Sequence, residues 1–220
     1  MNRLFRIAVL ASGAGTNLQA LIDAVAAGEL AVDIVGVFSD KPKAFALERA
    51  RAAGIATTVV SPKRFATREE HDEAFFAAVD GAQADLIVCA GYMRIIAAKQ
   101  IERRPNRMIN LHPSLLPAFK GLHTHQQALD AGVVEHGASV HVVTADLDDG
   151  PVLAQACVPV LPGDDADSLG TRVRTVEHPL LVETVRLLAE GRLQLAADGP
   201  RLNGTPLAAP LQLGAKRRLA

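Results

Sequence analysis

An α/β fold, with a doubly wound, mostly parallel sheet and helices on both faces, is expected from three features of this 220-residue sequence. Short apolar, β-branched runs alternate with helical patterns through the first half of the chain, the grammar of β-α-β units. The first run leads into a turn of small residues, Ala11-Ser12-Gly13-Ala14-Gly15-Thr16-Asn17, which exposes backbone amides at a helix start. The fifth run ends in Asn110-Leu111-His112-Pro113, and open α/β sheets carry their chemistry at the carboxyl ends of strands.

Taken in order, strands are expected at residues 6–10, 33–38, 57–60, 85–90 and 108–111. Helical patterns lie between them at 18–27, 45–53 and 68–79. The third helix has its start written out, with Thr67 as cap and Glu70 three residues on. Pro113 removes a backbone donor and ends the fifth strand. A long loop, 114–125, follows, and a loop of that length without its own structure is usually functional. A short helix then precedes two strands at 138–143 and 152–160. Residues 168–190 read as a long helix that Pro179 should interrupt or kink. The Gly- and Pro-rich tail from 192 to 213 suggests a hairpin and an irregular end.

Composition narrows the function classes. At 49% hydrophobic content and a net charge of −1, the chain can bury a substantial core and offers no basic surface for nucleic acid. No apolar run reaches the roughly 18 residues of a membrane span, and the first strand is too short for a signal peptide. Cys89 and Cys157 lie in apolar runs without C-x-x-C spacing, so reduced thiols in a cytoplasmic core are expected.

Alternation along the fifth strand puts Asn110 and His112 on one side, an amide and an imidazole aimed together. The glycine turn is no Walker loop, and as a dinucleotide fingerprint it has Leu18 at the third glycine position, although Asp40 ends the second strand. A monophosphate at Gly15, Thr16 and Asn17 fits better, because Thr16 and Asn17 add side-chain donors. His123, His125, His136 and His141 give no cluster with metal-ligand spacing, and no metal is expected. His141, between valines, reads as a hydrogen-bonded sheet residue. The acidic turn Asp146-Leu147-Asp148-Asp149-Gly150 has too few oxygen ligands for calcium and gains interest only beside His112.

Together, S-G-x-G-T-N-L-Q-A, A-G-Y-M-R-I, N-L-H-P-S-L-L-P-x-F-K-G-L-H-T-H and G-A-S-V-H-x-V-x-x-x-L-D-x-G-P resemble the phosphoribosylglycinamide formyltransferases, over about Arg6 to Leu193. The resemblance implies a Rossmann-like formyltransferase fold in residues 1–193, with 194–220 as a C-terminal hairpin and tail packed on it or trailing from it. It implies a cytoplasmic enzyme of purine synthesis, monomer or homodimer. Its substrates are glycinamide ribonucleotide and a reduced folate, 10-formyltetrahydrofolate serving as co-substrate. By motif position, Asn110, His112 and Asp148 look like the catalytic trio, and Gly15, Thr16 and Asn17 like the phosphate site. Glu177 resembles the ribose contact. Met93, Arg94, Ile95 and Ile96 resemble the folate-pocket segment, which Asn110 also meets, and Arg68 is placed for the folate's glutamyl carboxylate. Cys89 stands where a larger aliphatic residue is expected, and Asp40 where Asn is commoner. Methionyl-tRNA formyltransferase and formyltetrahydrofolate deformylase share the core but are expected to carry further domains. A dinucleotide-binding oxidoreductase would explain the glycine turn but neither Asn110 nor His112.

Overall fold

The computed structural model describes residues 3–219. Its first five strands are β1 (Phe5–Leu10), β2 (Val32–Ser39), β3 (Thr57–Val59), β4 (Leu86–Cys89) and β5 (Met108–His112). Between them run α1 (Thr16–Ala26), α2 (Phe45–Ala52), α3 (Arg68–Gly81) and α4 (Ala98–Glu102). The second half holds α5 (Thr124–Asp130), β6 (Glu135–Val142), β7 (Val152–Pro159) and α6 (Ala166–Ala189). Four short strands close it: β8 (Leu193–Ala196), β9 (Gly199–Leu202), β10 (Thr205–Pro206) and β11 (Leu211–Gln212). Eight strands hydrogen-bond in the order β11-β7-β6-β5-β4-β1-β2-β3, so the fold is a doubly wound, mostly parallel α/β sheet.

The chain divides into two compact units, Met1–Asn110 and Leu111–Ala220. In the first, β1 pairs in parallel with β2 on one side and β4 on the other, and the order of strands reverses there. Ile7, Ala8, Val9 and Leu10 are all fully buried, as expected of a central parallel strand covered on two faces. The α3 start is the capping box read in the sequence: Thr67 accepts from the Glu70 amide, and Glu70 accepts from the Thr67 amide. The five-residue α4 is too short to show a helical period and was not expected.

In the second unit β6 and β7 form an antiparallel pair, and α6 packs on both. Pro179 does not interrupt α6, which runs 24 residues with the proline inside. A helix-interior proline costs about 3 kcal/mol. Full burial of Leu169, Val173, Leu180, Leu181 and Val185 offsets this, each large aliphatic side chain contributing about 1.5–3 kcal/mol. The tail also departs from expectation. Its hairpin grows to a three-stranded sheet, β10-β9-β8, and its end is ordered, with β11 extending the main sheet in parallel to β7. The expected buried thiol holds for Cys89, whose pKa burial pushes up to about 12, but Cys157 is exposed. Side chains alternate along β7, and Cys157 falls on the outward beat between buried Ala156 and Val158. Among the described residues, no helix is long and apolar enough to cross a membrane.

Candidate active site

The chemistry-bearing residues of the second unit converge at the end of β5. His112 is its last residue and is buried. Its Nε2 lies 2.9 Å from the Phe119 carbonyl, which can only accept, so Nε2 carries a hydrogen. Its Nδ1 lies 3.4 Å from Asp148 Oδ2. On β6, His141 repeats the arrangement: Nδ1 lies 2.9 Å from the Val142 carbonyl and Nε2 3.5 Å from Asp148 Oδ1. One carboxylate is therefore flanked by two imidazoles, each with its obligatory hydrogen pointing elsewhere. Any further proton on either ring falls against Asp148.

Local sequence explains how Asp148 gets there. Gly150 presses its backbone so closely on the Val142 carbonyl that no side chain fits, which draws the acidic turn onto the end of β6. Asp148 itself takes φ +50°, a left-handed conformation that Asp tolerates better than most residues. Its Oδ2 also accepts from the Gly121 amide at 3.0 Å, so the long loop contributes to the carboxylate. Asp149 points instead to Lys120. Burial favours the neutral acid at Asp148, but His141, the Gly121 amide and His112 together hold its carboxyl below the usual range. At His112 burial dominates and lowers the imidazole pKa, against the Phe119 carbonyl and Asp148, which favour the cation. His141 adds to the lowering.

Asn110 precedes His112 by two residues on β5 and is half-buried. Glu177 is buried on α6. In the first unit, Gly15 caps α1 at φ +70°, and Thr16 and Asn17 open the helix half-buried. The α2 helix braces this turn. Ala46 N–H donates to the Gly13 carbonyl at 3.1 Å, and Arg49 Nε donates to the Ala14 carbonyl at 2.9 Å. Asp40 is buried with its Oδ1 accepting from Ser12 at 2.5 Å, so it is turned inward rather than presented to a ribose, which removes the support for a dinucleotide. Met93 and Ile95 stand exposed after β4, Arg94 is half-buried and Ile96 is buried. Arg68 opens α3 exposed, 3.6 Å from Glu69. Among the described residues, no group of three or more His, Cys, Asp or Glu could hold a metal ion.

A family model described as formyl transferase matches residues 5–185. The phosphoribosylglycinamide formyltransferase of Escherichia coli (strain K12) is 45% identical over 201 residues, covering 91% of this chain and 95% of that protein. The chain belongs to the phosphoribosylglycinamide formyltransferase family. The enzyme of that name from Haemophilus influenzae is 40% identical, over 92% of this chain and 95% of its own length. A solved phosphoribosylglycinamide formyltransferase from Coxiella burnetii superposes with a TM-score of 0.89 at 42% identity, covering 94% of this chain and 97% of that one.

Within this formyltransferase fold, the motif resemblance pointed to His112 and Asp148 but did not mark His141 as their neighbour. A histidine between valines in a strand carries the pattern of an ordinary sheet residue. Its one signal was position, at the end of the strand that feeds the acidic turn. The Phe119 carbonyl and Gly121 amide are backbone groups and leave no residue-type signature at all.

Proposed function

We propose that the protein transfers the formyl group of 10-formyltetrahydrofolate to the amine of 5'-phosphoribosylglycinamide, giving N-formylglycinamide ribonucleotide in de novo purine biosynthesis. The observation that carries this reading is the Asp148 carboxylate held between His112 and His141 at the end of β5. A primary amine is nucleophilic enough to attack a formyl carbon without a covalent relay, and this arrangement supplies charge stabilisation in place of a nucleophile. As the new C–N bond forms, the carbonyl oxygen gains negative charge and the amine nitrogen positive charge. The Asn110 amide donates to that oxygen, and the His112 imidazolium, its two N–H groups held by the Phe119 carbonyl and Asp148, stabilises it through its positive charge. In the free protein burial favours the neutral imidazole, whereas the growing oxyanion favours its protonated form, with Asp148 stabilising the cation at Nδ1. Collapse of the adduct breaks the bond from carbon to the folate nitrogen, N10. The proton shed by the amine ends on N10, passed through water by the Asp148 carboxylate.

The remaining roles follow the substrates' chemistry. Gly15, Thr16 and Asn17 offer amides and side-chain donors to the phosphate, whose binding energy positions the distant amine. Glu177 accepts from the ribose hydroxyls. Met93, Arg94, Ile95 and Ile96 form the backbone and apolar wall for the folate, with Asn110 at the formyl end and Arg68 at the glutamyl tail. A steady-state assay with 10-formyltetrahydrofolate tests the reading, offering glycinamide ribonucleotide, water and methionyl-tRNA as competing acceptors. Transfer is expected to the ribonucleotide alone. Rapid release of formate without it would overturn the transferase assignment.

A further inference from the structure

The segment after β4, residues 93–97, is irregular, so no ladder holds its backbone and its shape depends on what its amides bond. Both ends are tied to buried side chains of the first unit. At the start, Met93 N–H donates to Ser12 Oγ at 3.0 Å, and Ser12 Oγ donates to Asp40 at 2.5 Å. The Ser12 amide also donates to the Gly91 carbonyl at 2.9 Å. At the end, Ala97 N–H donates to Asp72 Oδ2 at 2.8 Å. The other Asp72 oxygen lies 3.0 Å from His71 Nδ1, and His71 Nε2 lies 2.9 Å from the Val60 carbonyl. Ser12, Asp40, His71 and Asp72 are each at most 4% exposed, so water does not substitute for these bonds. Burying carboxylates is costly, and both here are committed to the two ends of one short segment whose Met93 and Ile95 side chains face solvent. Ser12 belongs to the glycine turn after β1. The first tie thus joins the loops of the two strands that flank the reversal of strand order, where open α/β sheets bind ligands.

We infer that Ser12 and Asp72, backed by Asp40 and His71, are positioning residues that hold residues 93–97 in the shape that receives the folate. This rests on the assignment of Met93–Ile96 to folate in the proposed function. Asp72→Ala leaves the buried Ala97 amide without its acceptor, and the folate KM should rise about tenfold, the equilibrium factor of one unmade buried hydrogen bond. The kcat should fall by less than about threefold, and the affinity for glycinamide ribonucleotide should not move. Asp72→Asn keeps an oxygen for Ala97 and should restore the folate KM. Hydrogen exchange at the Met93 and Ala97 amides of the ligand-free protein should quicken in Asp72→Ala and in Ser12→Ala. Should Asp72→Ala not fold, Ser12→Ala, which leaves the His71–Asp72 pair intact, carries the exchange and folate measurements by itself. Unchanged exchange would overturn the positioning role and leave the functional reading standing. Faster exchange with unchanged tetrahydrofolate affinity would overturn both the inference and the assignment of this segment to folate.

Discussion

Replacing Asp148 by Asn removes one charge and almost no volume. The left-handed φ of +50° at this position suits Asn as well as Asp, so the turn keeps its shape. Two unit charges at the 3.4 Å that separates Asp148 from His112 attract by about 5 kcal/mol in a medium of effective dielectric about 20. His141 stands at nearly the same distance, 3.5 Å, and shares the carboxylate. About half the attraction, roughly 2.5 kcal/mol, is then available to a His112 cation, which corresponds to about 10² in rate. Asp148→Asn should therefore lower kcat about 10²-fold and shift the His112 titration, followed by NMR of the imidazole carbons, to lower pH. Ribonucleotide affinity and thermal midpoint should change little. A kcat within twofold of wild type, or an unmoved His112 titration, would refute the coupling.

Three further outcomes are expected. Gly15→Val sets a side chain where a Cβ would lie 2.6 Å from Ala46 Cβ and 2.7 Å from its Cα, on a backbone at φ +70°. Calorimetry should show weakened ribonucleotide binding and unchanged folate binding, and two unaffected ligands would move the phosphate site elsewhere. Arg68→Ala removes an exposed cation, and exposed pairs contribute about 0–1 kcal/mol, so the folate KM should rise up to about fivefold with kcat nearly intact; a tenfold loss of kcat would contradict that role. His136 is fully buried, and burial followed by the neighbouring His125 pushes its pKa down to about 4. The unfolded chain then binds the proton first as pH falls, so stability is full above about 6.5 and is lost toward pH 4, by on the order of 2–3 kcal/mol. Thermal midpoints measured across that window should fall, and His136→Phe should flatten the slope; an equally steep slope in the variant would exclude His136 as its source.

The elements legible in the sequence were those whose pattern runs long enough to repeat or whose ends carry specific chemistry. β1 showed its continuous apolar run, α3 its capping box, and β5 its proline stop. What was not legible depends on partners distant in the chain. The two-residue β11 exists because β7 offers it an edge, and α6 continues through Pro179 because its apolar face is covered by β6 and β7. Cys157 looked interior because its neighbours are apolar, yet one strand position decides which face it takes. At the site, composition alone could not choose among Asp146, Asp148 and Asp149. Resemblance chose Asp148; in the fold Gly150 packs against Val142, and the Asp148 carboxylate lies between two histidines. Asp40 misled in the other direction, since its place at the end of β2 suggests a ribose contact while its side chain turns inward to Ser12.

Formyl transfer to glycinamide ribonucleotide is expected to be direct, without a formyl-protein intermediate. A single-turnover experiment with excess protein and 10-formyltetrahydrofolate labelled with carbon-13 in the formyl group, followed by NMR, tests it most directly. With glycinamide ribonucleotide present, the labelled carbon should pass from the folate signal to the formamide of N-formylglycinamide ribonucleotide and to nothing else. Without it, the folate signal should persist. Labelled formate released in the absence of the ribonucleotide, or label retained on the protein, would contradict the account.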